Sequence, residues 1–310
     1  MQKERIMNIR NVLVPVDFST ASQHAVDFAV SFARKCRAQL TLLYVEEPDK
    51  AEKEDANPRL NRLLEMLPPG GSDDLYVQTR MRNGNVEDEI RAAIDEEHAG
   101  VVVMGTHRHG LIRRLLGGSV TEDLLRKMPV PLLTVPADAH LTSLTRILFA
   151  TDLTESSREG FRYALELART LGASLIVHHS IEPIPISYGG SMPVVDDPTD
   201  RKLLMEHVRH KLSELESEGS SQQVVVVSEV TEGAATGKIV SAAEEAGCGL
   251  IVLTIHYKGL LERALLGSTA EHVVRDAHVP VLSYPVIDVS NPIEEKIHPR
   301  TAMTDPSATT

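Results

Sequence analysis

The sequence contains one unit twice, and this duplication constrains the fold more than any other feature. The segment GGSVTEDLLRKMPVPLLTVP in the first copy aligns with LGSTAEHVVRDAHVPVLSYP in the second, with Gly118 and Gly267 separated by 149 residues. Near the front of each copy the offset is 135, from Asp17 to Asp152, so the second copy carries 14 extra residues in its middle. Solenoid units run to only about 20–50 residues. A repeat of this length therefore indicates two duplicated domains.

The duplication divides the chain of 310 residues into three predicted parts. We predict one domain over residues 1–138, a second over 145–287 and a disordered tail without apolar periodicity over 288–310. The extra residues of the second copy fall within 181–200, where Pro, Gly, Ser and Asp predict an extended loop. Because loops absorb added length cheaply, a tolerated surface insertion is favoured there over a functional lid.

Within each copy, apolar runs of strand length alternate with helical patterns. The runs are nearly continuous, as in VVVM at 101–104 and LTLLYV at 40–45, which is typical of a parallel sheet covered on both faces. The helices predicted between them include 21–36 in the first copy and 161–171 and 201–216 in the second. We therefore predict an α/β fold of two tandem Rossmann-like, doubly wound domains. Each is a five-stranded, mostly parallel sheet with helices on both faces.

Composition excludes several classes of function. The chain has 32 Lys and Arg against 44 Asp and Glu, a net charge of -12, which disfavours nucleic acid as a partner. Cys36 and Cys248 are the only cysteines and do not occupy corresponding positions, so neither a disulfide nor a thiolate metal site is indicated. No run approaches the roughly 18 apolar residues of a membrane helix, and no signal peptide is evident. We expect a soluble cytoplasmic protein that has no membrane partner and no metal ligands.

Three segments of the first copy converge at the carboxyl edge of the predicted sheet. Asp17 ends the first strand, residues 104–107 end the fourth, and residues 117–120 open the last helix. In open parallel sheets, ligands bind outside the carboxyl ends of the strands, near the point where strand order reverses. Glycine lets the backbone approach a ligand, and a helix start offers unpaired N–H groups to phosphate. The pattern predicts a nucleotide site in which Asp17 accepts from a ribose hydroxyl or an adenine amino group.

Each of these elements also has an ordinary structural interpretation. Ser119 with Glu122, and Ser268 with Glu271, form S-x-x-E capping boxes that satisfy a helix's own N–H groups. The P-loop-like segment 232–239 lacks the first glycine and the magnesium-binding hydroxyl, so a helix start is the better interpretation there. No nucleophile is paired with a base in a repeated arrangement, and no catalytic residue is predicted. Slow hydrolysis of a bound nucleotide stays open.

Four blocks of sequence resemble the universal stress protein family. They include VLVPVDFSTAS, LTLLYVEEP and VVVMGTHRHGLIRRLLGGSVTEDLLRKMPVPLLTVP, with counterparts in the second copy, and the resemblance covers residues 9–285. Members of that family that bind ATP carry G-x2-G-x9-G-[ST]. Gly105 matches the first glycine, Gly118 follows 13 residues later, and Ser119 comes next. The second glycine position holds Arg108, which either obstructs backbone approach or holds a phosphate through its guanidinium.

The resemblance implies a nucleotide site in the first copy. Its residues are Pro15, Val16, Asp17, Val45, Met104, Gly105, His107, Arg108, Gly118, Ser119, Val120 and Thr121. By resemblance, the first three border the adenosine, Val45 offers backbone to the adenine, and the residues from Gly118 onward receive the phosphates. In the second copy Thr254 and Tyr257 stand where the first has Gly105 and Arg108. The implied second site is therefore weaker, and its residues are Asp152, Gly267, Ser268 and Thr269.

The resemblance further implies a cytoplasmic stress-response protein. Its expected regulatory or signalling ligand is ATP, with or without Mg²⁺, or a related adenine nucleotide, bound mainly in domain 1. The alternative is a scaffold that binds no nucleotide and assembles through sheet edges. We expect the two copies to pair within the chain through residues 132–135 and 281–284, and a further homodimer stays open.

Overall fold

The computed structural model describes residues 9–47, 56–106, 128–139, 143–182, 198–258 and 268–288. The strands are β1 (Asn11–Val16), β2 (Gln39–Glu46), β3 (Val77–Asn83), β4 (Val101–Thr106), β5 (Leu132–Pro136), β6 (Arg146–Ala150), β7 (Ser174–Ile181), β8 (Val226–Glu232), β9 (Leu250–Lys258) and β10 (Val281–Asp288). The helices are α1 (Thr20–Cys36), α2 (Ala56–Glu65), α3 (Val86–Glu96), α4 (Glu155–Leu171), α5 (Pro198–Ser221), α6 (Ala235–Glu245) and α7 (Ser268–Asp276).

These strands form one sheet in the order β3-β2-β1-β4-β5-β10-β9-β6-β7-β8. Pairs within each half are parallel, and only the junction between β5 and β10 is antiparallel. Helices α1, α2, α4 and α5 contribute buried residues to one face, and α3, α6 and α7 to the other. The predicted α/β fold of two doubly wound, five-stranded halves is confirmed.

The two halves repeat one another element by element. The offset between β2 and β7 is 135 residues at both strand ends, and that between β3 and β8 is 149. The added length of the second copy therefore lies between β7 and β8. Helix α5 has 24 residues where α2 has 10, so part of this length extends a helix rather than a loop. Residues 183–197 of the insertion and 289–310 of the predicted tail lie outside the described residues.

Helix α4 begins earlier than its apolar pattern indicates. Its prediction from residue 161 was wrong at the N terminus, because the first turn from Glu155 is polar and shows no apolar periodicity. Thr154 caps this turn, and its side-chain oxygen accepts from the Ser157 N–H at 3.3 Å. The counterpart cap of α1 is Ser19. Residues of this type satisfy N–H groups that a helix start leaves unpaired.

Among the residues that the structure describes, the two halves share their apolar core on one face of the sheet only. There a single cluster of buried side chains runs from Phe32 of α1 to Phe161 of α4, and the two helices contact each other directly. On the opposite face the halves have separate clusters, one around Ile90 and the other around Val273. Separating the halves would expose apolar area on the shared face, which is unfavourable at about 25 cal/mol per Å².

The antiparallel junction between the halves has local two-fold symmetry. Leu133 of β5 pairs with Leu282 of β10, its own counterpart at the offset of 149 residues. A local two-fold axis therefore passes between these leucines, and each strand presents the same surface to the other. Across the junction, the Thr134 hydroxyl donates to the Val281 carbonyl at 3.2 Å.

The outer edges of the sheet are β3 and β8, and both carry features that discourage further strand pairing. On β3, Arg80 forms an ion pair with Glu97 at 2.5 Å. On β8, the Ser228 backbone N–H donates to Glu216 Oε1 at 2.8 Å. Charged side chains and occupied backbone donors make an edge strand a poor template for another strand.

Candidate functional site

The strand order reverses at one place in each half. In the first half α1 leads from β1 to β2 on one side, and the chain later returns from β3 to β4 on the other side of β1. The reversal therefore lies between β1 and β4, and in the second half it lies between β6 and β9. Ligands of open α/β sheets bind at such reversals, outside the carboxyl ends of the strands.

Part of the predicted nucleotide site falls on described residues. Pro15 and Val16 end β1, Asp17 follows them, Val45 is next to last in β2, and Met104 and Gly105 lie near the end of β4. The structure thus brings these six residues to the carboxyl ends of three adjacent strands. The other predicted residues, His107, Arg108, Gly118, Ser119, Val120 and Thr121, lie outside the described residues.

Asp17 holds a sharp turn between β1 and α1. Its Oδ1 accepts from the Ser19 N–H at 3.0 Å, and Phe18 between them has a left-handed backbone with φ of 59°. The helix cap is Ser19, whose side-chain oxygen accepts from the Ser22 N–H at 3.2 Å. An Asp before a helix is often its cap, but here Ser19 has that role and Asp17 does not. Its carboxylate is exposed at the strand-order reversal.

The surroundings of Asp17 favour its ionised form. Partial burial raises the pKa of the carboxyl, but hydrogen bonds from the side chain and backbone of Ser19 and from the side chain of Ser22 outweigh it. The pKa of Asp17 consequently lies below its ordinary value. At neutral pH the site offers a charged acceptor, which forms stronger hydrogen bonds than a neutral one.

Gly105 allows helix α1 to lie against the end of β4. A Cβ at this position would lie 2.0 Å from the Ala21 carbonyl oxygen and 2.8 Å from the Ser22 backbone nitrogen. Both contacts are to backbone, so the helix start would have to move to admit a side chain. The sequence pattern predicts that this glycine serves ligand approach, whereas the structure gives it a packing reason. Gly105 fixes how closely the capped start of α1 sits beside the strand end.

The second half keeps the turn but changes this packing. Asp152 Oδ1 accepts from the Thr154 N–H at 3.0 Å, and Leu153 has φ of 60°. Thr254 stands at the position of Gly105, and its helix neighbour is Gly160, the counterpart of Ala25. A Cβ on Gly160 would lie 2.1 Å from Thr254 Oγ1. The glycine is therefore on the strand in the first half and on the helix in the second. This difference is visible when the two copies are aligned.

Polar side chains occupy the strand-end region of the second half. The hydroxyls of Thr151 and Ser157 lie 2.9 Å apart, and His179 Nδ1 donates to the Thr151 carbonyl at 2.9 Å. Thr254 Oγ1 is buried and has no hydrogen-bond partner. Of the remaining residues of the predicted second site, Ser268 and Thr269 open α7, and Gly267 lies outside the described residues.

The contact between Gly160 and Thr254 predicts that substitutions at these two positions have strongly coupled effects on stability. Gly160→Ala should destabilise the protein by about 1–3 kcal/mol, because its Cβ overpacks against Thr254. Adding Thr254→Gly recreates the arrangement of the first half and should recover at least about 1 kcal/mol of that loss. Denaturant unfolding of both single variants and the double variant measures the coupling. Purely additive effects would contradict this packing account.

The cysteine thiols and the potential metal ligands of the described residues form no further site. Burial raises the pKa of the Cys36 thiol to about 12 and that of the Cys248 thiol to about 11, so both stay protonated and unreactive at neutral pH. Across the ranges given above, no three His, Cys, Asp or Glu side chains are grouped to hold a metal ion. None of the helices described has the length and apolar character needed to cross a membrane.

The fold and this arrangement define a tandem Rossmann-like protein in which each half places an aspartate turn at its strand-order reversal. The model of the universal stress protein family matches residues 8–136 and 143–285, and the chain belongs to this family. The resemblance seen in the sequence is thereby confirmed for both copies.

One relative matches both copies of this chain, another matches a single copy, and a solved structure shares the fold. A universal stress protein from Mycolicibacterium smegmatis is 26% identical over 296 residues, which cover 87% of this chain and 95% of the relative. One from Methanocaldococcus jannaschii is 30% identical over 140 residues, 44% of this chain and 79% of the relative. The crystal structure of a universal stress protein from Archaeoglobus fulgidus matches with a TM-score of 0.61 and 21% identity, covering 90% of this chain and 97% of that one. This likeness supports the fold.

Proposed function

We propose that the protein is a cytoplasmic stress-response regulator that binds ATP or a related adenine nucleotide, with or without Mg²⁺, mainly in its first half. The residues proposed for its nucleotide site are Pro15, Val16, Asp17, Val45, Met104, Gly105, His107, Arg108, Gly118, Ser119, Val120 and Thr121. The nucleotide acts as a regulatory or signalling ligand, and catalysis is not the main role. The two halves work as one unit, joined by β5 and β10, and the chain is able to dimerise further.

The observation that carries this proposal is the position and charge of Asp17. An ionised carboxylate, held by Ser19, lies exposed at the strand-order reversal between β1 and β4. This is where open α/β sheets bind their ligands. A carboxylate suits a ribose hydroxyl or an adenine amino group better than a phosphate, because the first two donate hydrogen bonds.

The difference between the halves supports assigning the main site to the first. Gly105 lets the start of α1 sit beside β4, whereas in the second half Thr254 stands at that strand position and packs against Gly160. Near the second turn, Thr151 bonds through its hydroxyl to Ser157 and through its carbonyl to His179. Polar groups that already have partners gain less from a ligand.

The alternative of a scaffold assembling through sheet edges has less support. The edges β5 and β10 pair with each other, and the remaining edges β3 and β8 carry ion pairs and a blocked backbone donor. Further growth of the sheet would require breaking these contacts.

Calorimetry with matched variants tests the proposed site. Asp17→Asn keeps an oxygen that accepts from Ser19 but removes the charge, so ATP affinity should fall by about tenfold. Asp152→Asn makes the same change in the second half and should leave the main binding isotherm unchanged. The expected wild-type result is saturable ATP binding below millimolar concentration.

Two outcomes would overturn the proposal. Absence of ATP binding to the intact chain at millimolar nucleotide would remove the function. Equal effects of the two substitutions, or a larger effect of Asp152→Asn, would remove the assignment to the first half.

A further inference from the structure

Cations at equivalent positions contact the turn that follows each aspartate. In the first half, the Arg62 guanidinium carbon of α2 lies 4.2 Å from the centre of the Phe18 ring. In the second half, Lys211 of α5 donates through Nζ to the Leu153 carbonyl at 3.0 Å. Arg62 and Lys211 are counterparts at the offset of 149 residues. The contacts differ in chemistry, yet both are made to the residue directly after the aspartate.

The contacted residue has an unfavourable backbone in both halves. Phe18 and Leu153 have φ of 59° and 60°, in the left-handed region that residues with a Cβ seldom adopt. Such conformations persist when their surroundings hold them. The left-handed residue also turns the chain back on itself. The N–H of the next residue, Ser19 or Thr154, can therefore donate to the aspartate carboxylate.

A second residue at equivalent positions supports each turn. The Tyr44 ring of β2 lies 5.0 Å from the Phe18 ring. Its counterpart at the offset of 135 is His179 of β7, which donates to the Thr151 carbonyl at 2.9 Å. Each turn is therefore held from its neighbouring strand and from the helix that follows that strand.

We propose that Arg62 is a positioning residue for the nucleotide site, acting through Phe18 on the turn that presents Asp17. Lys211 has the same role for the turn of Asp152. The effect on ligand affinity rests on the function proposed above, whereas the effect on the turn does not. Helix α2 is thereby linked to the carboxylate, and ligand binding at Asp17 stabilises the contact between Arg62 and Phe18.

Amide hydrogen exchange in the nucleotide-free protein tests the link to the turn. Arg62→Ala should speed exchange of the Ser19 N–H by about three- to fivefold, which is the range expected for losing an exposed cation–π contact, and leave the Thr154 N–H unchanged. Lys211→Ala should have the converse effect. Global stability, followed by denaturant unfolding, should change little because Arg62 is exposed. Unchanged exchange of Ser19, or equal changes at both turns, would overturn the proposal.

ATP titration tests the consequence for binding. Arg62→Ala should weaken ATP by about three- to fivefold, Arg62→Lys should retain most of the affinity, and Lys211→Ala should have no effect. In a Phe18→Leu background, which carries the residue of the second half, Arg62→Ala should no longer matter. A persistent Arg62→Ala effect in that background would show direct ligand contact and overturn the positioning role. If the wild type binds no ATP, the proposed function fails, while the exchange data still decide the role of Arg62 in the turn.

Discussion

Gly105→Ala is expected to lower the free energy of unfolding by about 3 kcal/mol, the largest loss expected for a methyl group added at any glycine that the structure describes. The new Cβ would lie 2.0 Å from the Ala21 carbonyl oxygen, and backbone on both sides leaves no flexible side chain to move. Displacing the start of α1 also disturbs the Ser19 cap beside Asp17, so any ATP binding should weaken together with stability. Denaturant unfolding followed by circular dichroism measures the loss.

Gly237→Ala is the matched control for this substitution. Gly237 lies inside α6, where a Cβ would meet no atom within 4 Å. The exchange should therefore stabilise the protein by up to about 1 kcal/mol, as expected for alanine in a helix. If Gly105→Ala were tolerated as well as Gly237→Ala, helix α1 would not pack on β4 as described.

Acid should destabilise the protein by about 2–3 kcal/mol between pH 7 and pH 4 through His178 alone. This side chain is 1% exposed, its Nε2 lies 3.0 Å from Thr231 Oγ1, and its Nδ1 has no partner. Burial, followed by the nearby charges of His179 and Lys238, lowers the pKa of His178 from 6.5 to about 4. Between these two values the unfolded chain binds the proton and the folded chain does not, so stability falls as the pH decreases through this window.

His178→Leu should remove that component of the pH dependence. The substitution introduces the residue that the first half has at the equivalent position, Leu43, which is fully buried there. His210→Leu is the control, because its side chain is 72% exposed and forms only a surface contact with Glu214. Unfolding free energies at pH 7, 5.5 and 4.5 give the slopes. A slope in His178→Leu as steep as in the wild type would contradict the assignment.

The fold could be predicted from the sequence because buried strands have a recognisable apolar pattern. Strands covered on both faces appear as uninterrupted apolar runs, as in residues 101–104. Because the sequence is duplicated, each element can also be predicted independently from each copy. The polar first turn of α4 has no apolar pattern and was missed. The core shared by Phe32 and Phe161 was also not predictable, because an apolar helical face does not specify which other helix it meets.

For the candidate site, the sequence was sufficient to place six of the predicted residues at strand ends, but not to explain their local packing. Asp17 was placed correctly at a strand end because it directly follows an apolar run. The reason for Gly105 was not accessible, since it depends on the backbone of Ala21, 84 positions earlier in the chain. The aligned copies show the exchange of Gly160 and Thr254 for Ala25 and Gly105, but only the structure shows that Gly160 and Thr254 face each other. The spacing of residues along the sequence does not specify which helix residue contacts which strand residue.

Native mass spectrometry of the intact chain titrated with ATP tests the central claim, that the duplication has produced one main nucleotide site rather than two. The account predicts a dominant species with one ATP per chain at saturation, and about tenfold more ATP is needed to reach it in Asp17→Asn but not in Asp152→Asn. Two equivalent ATP molecules per chain, or none, would contradict it.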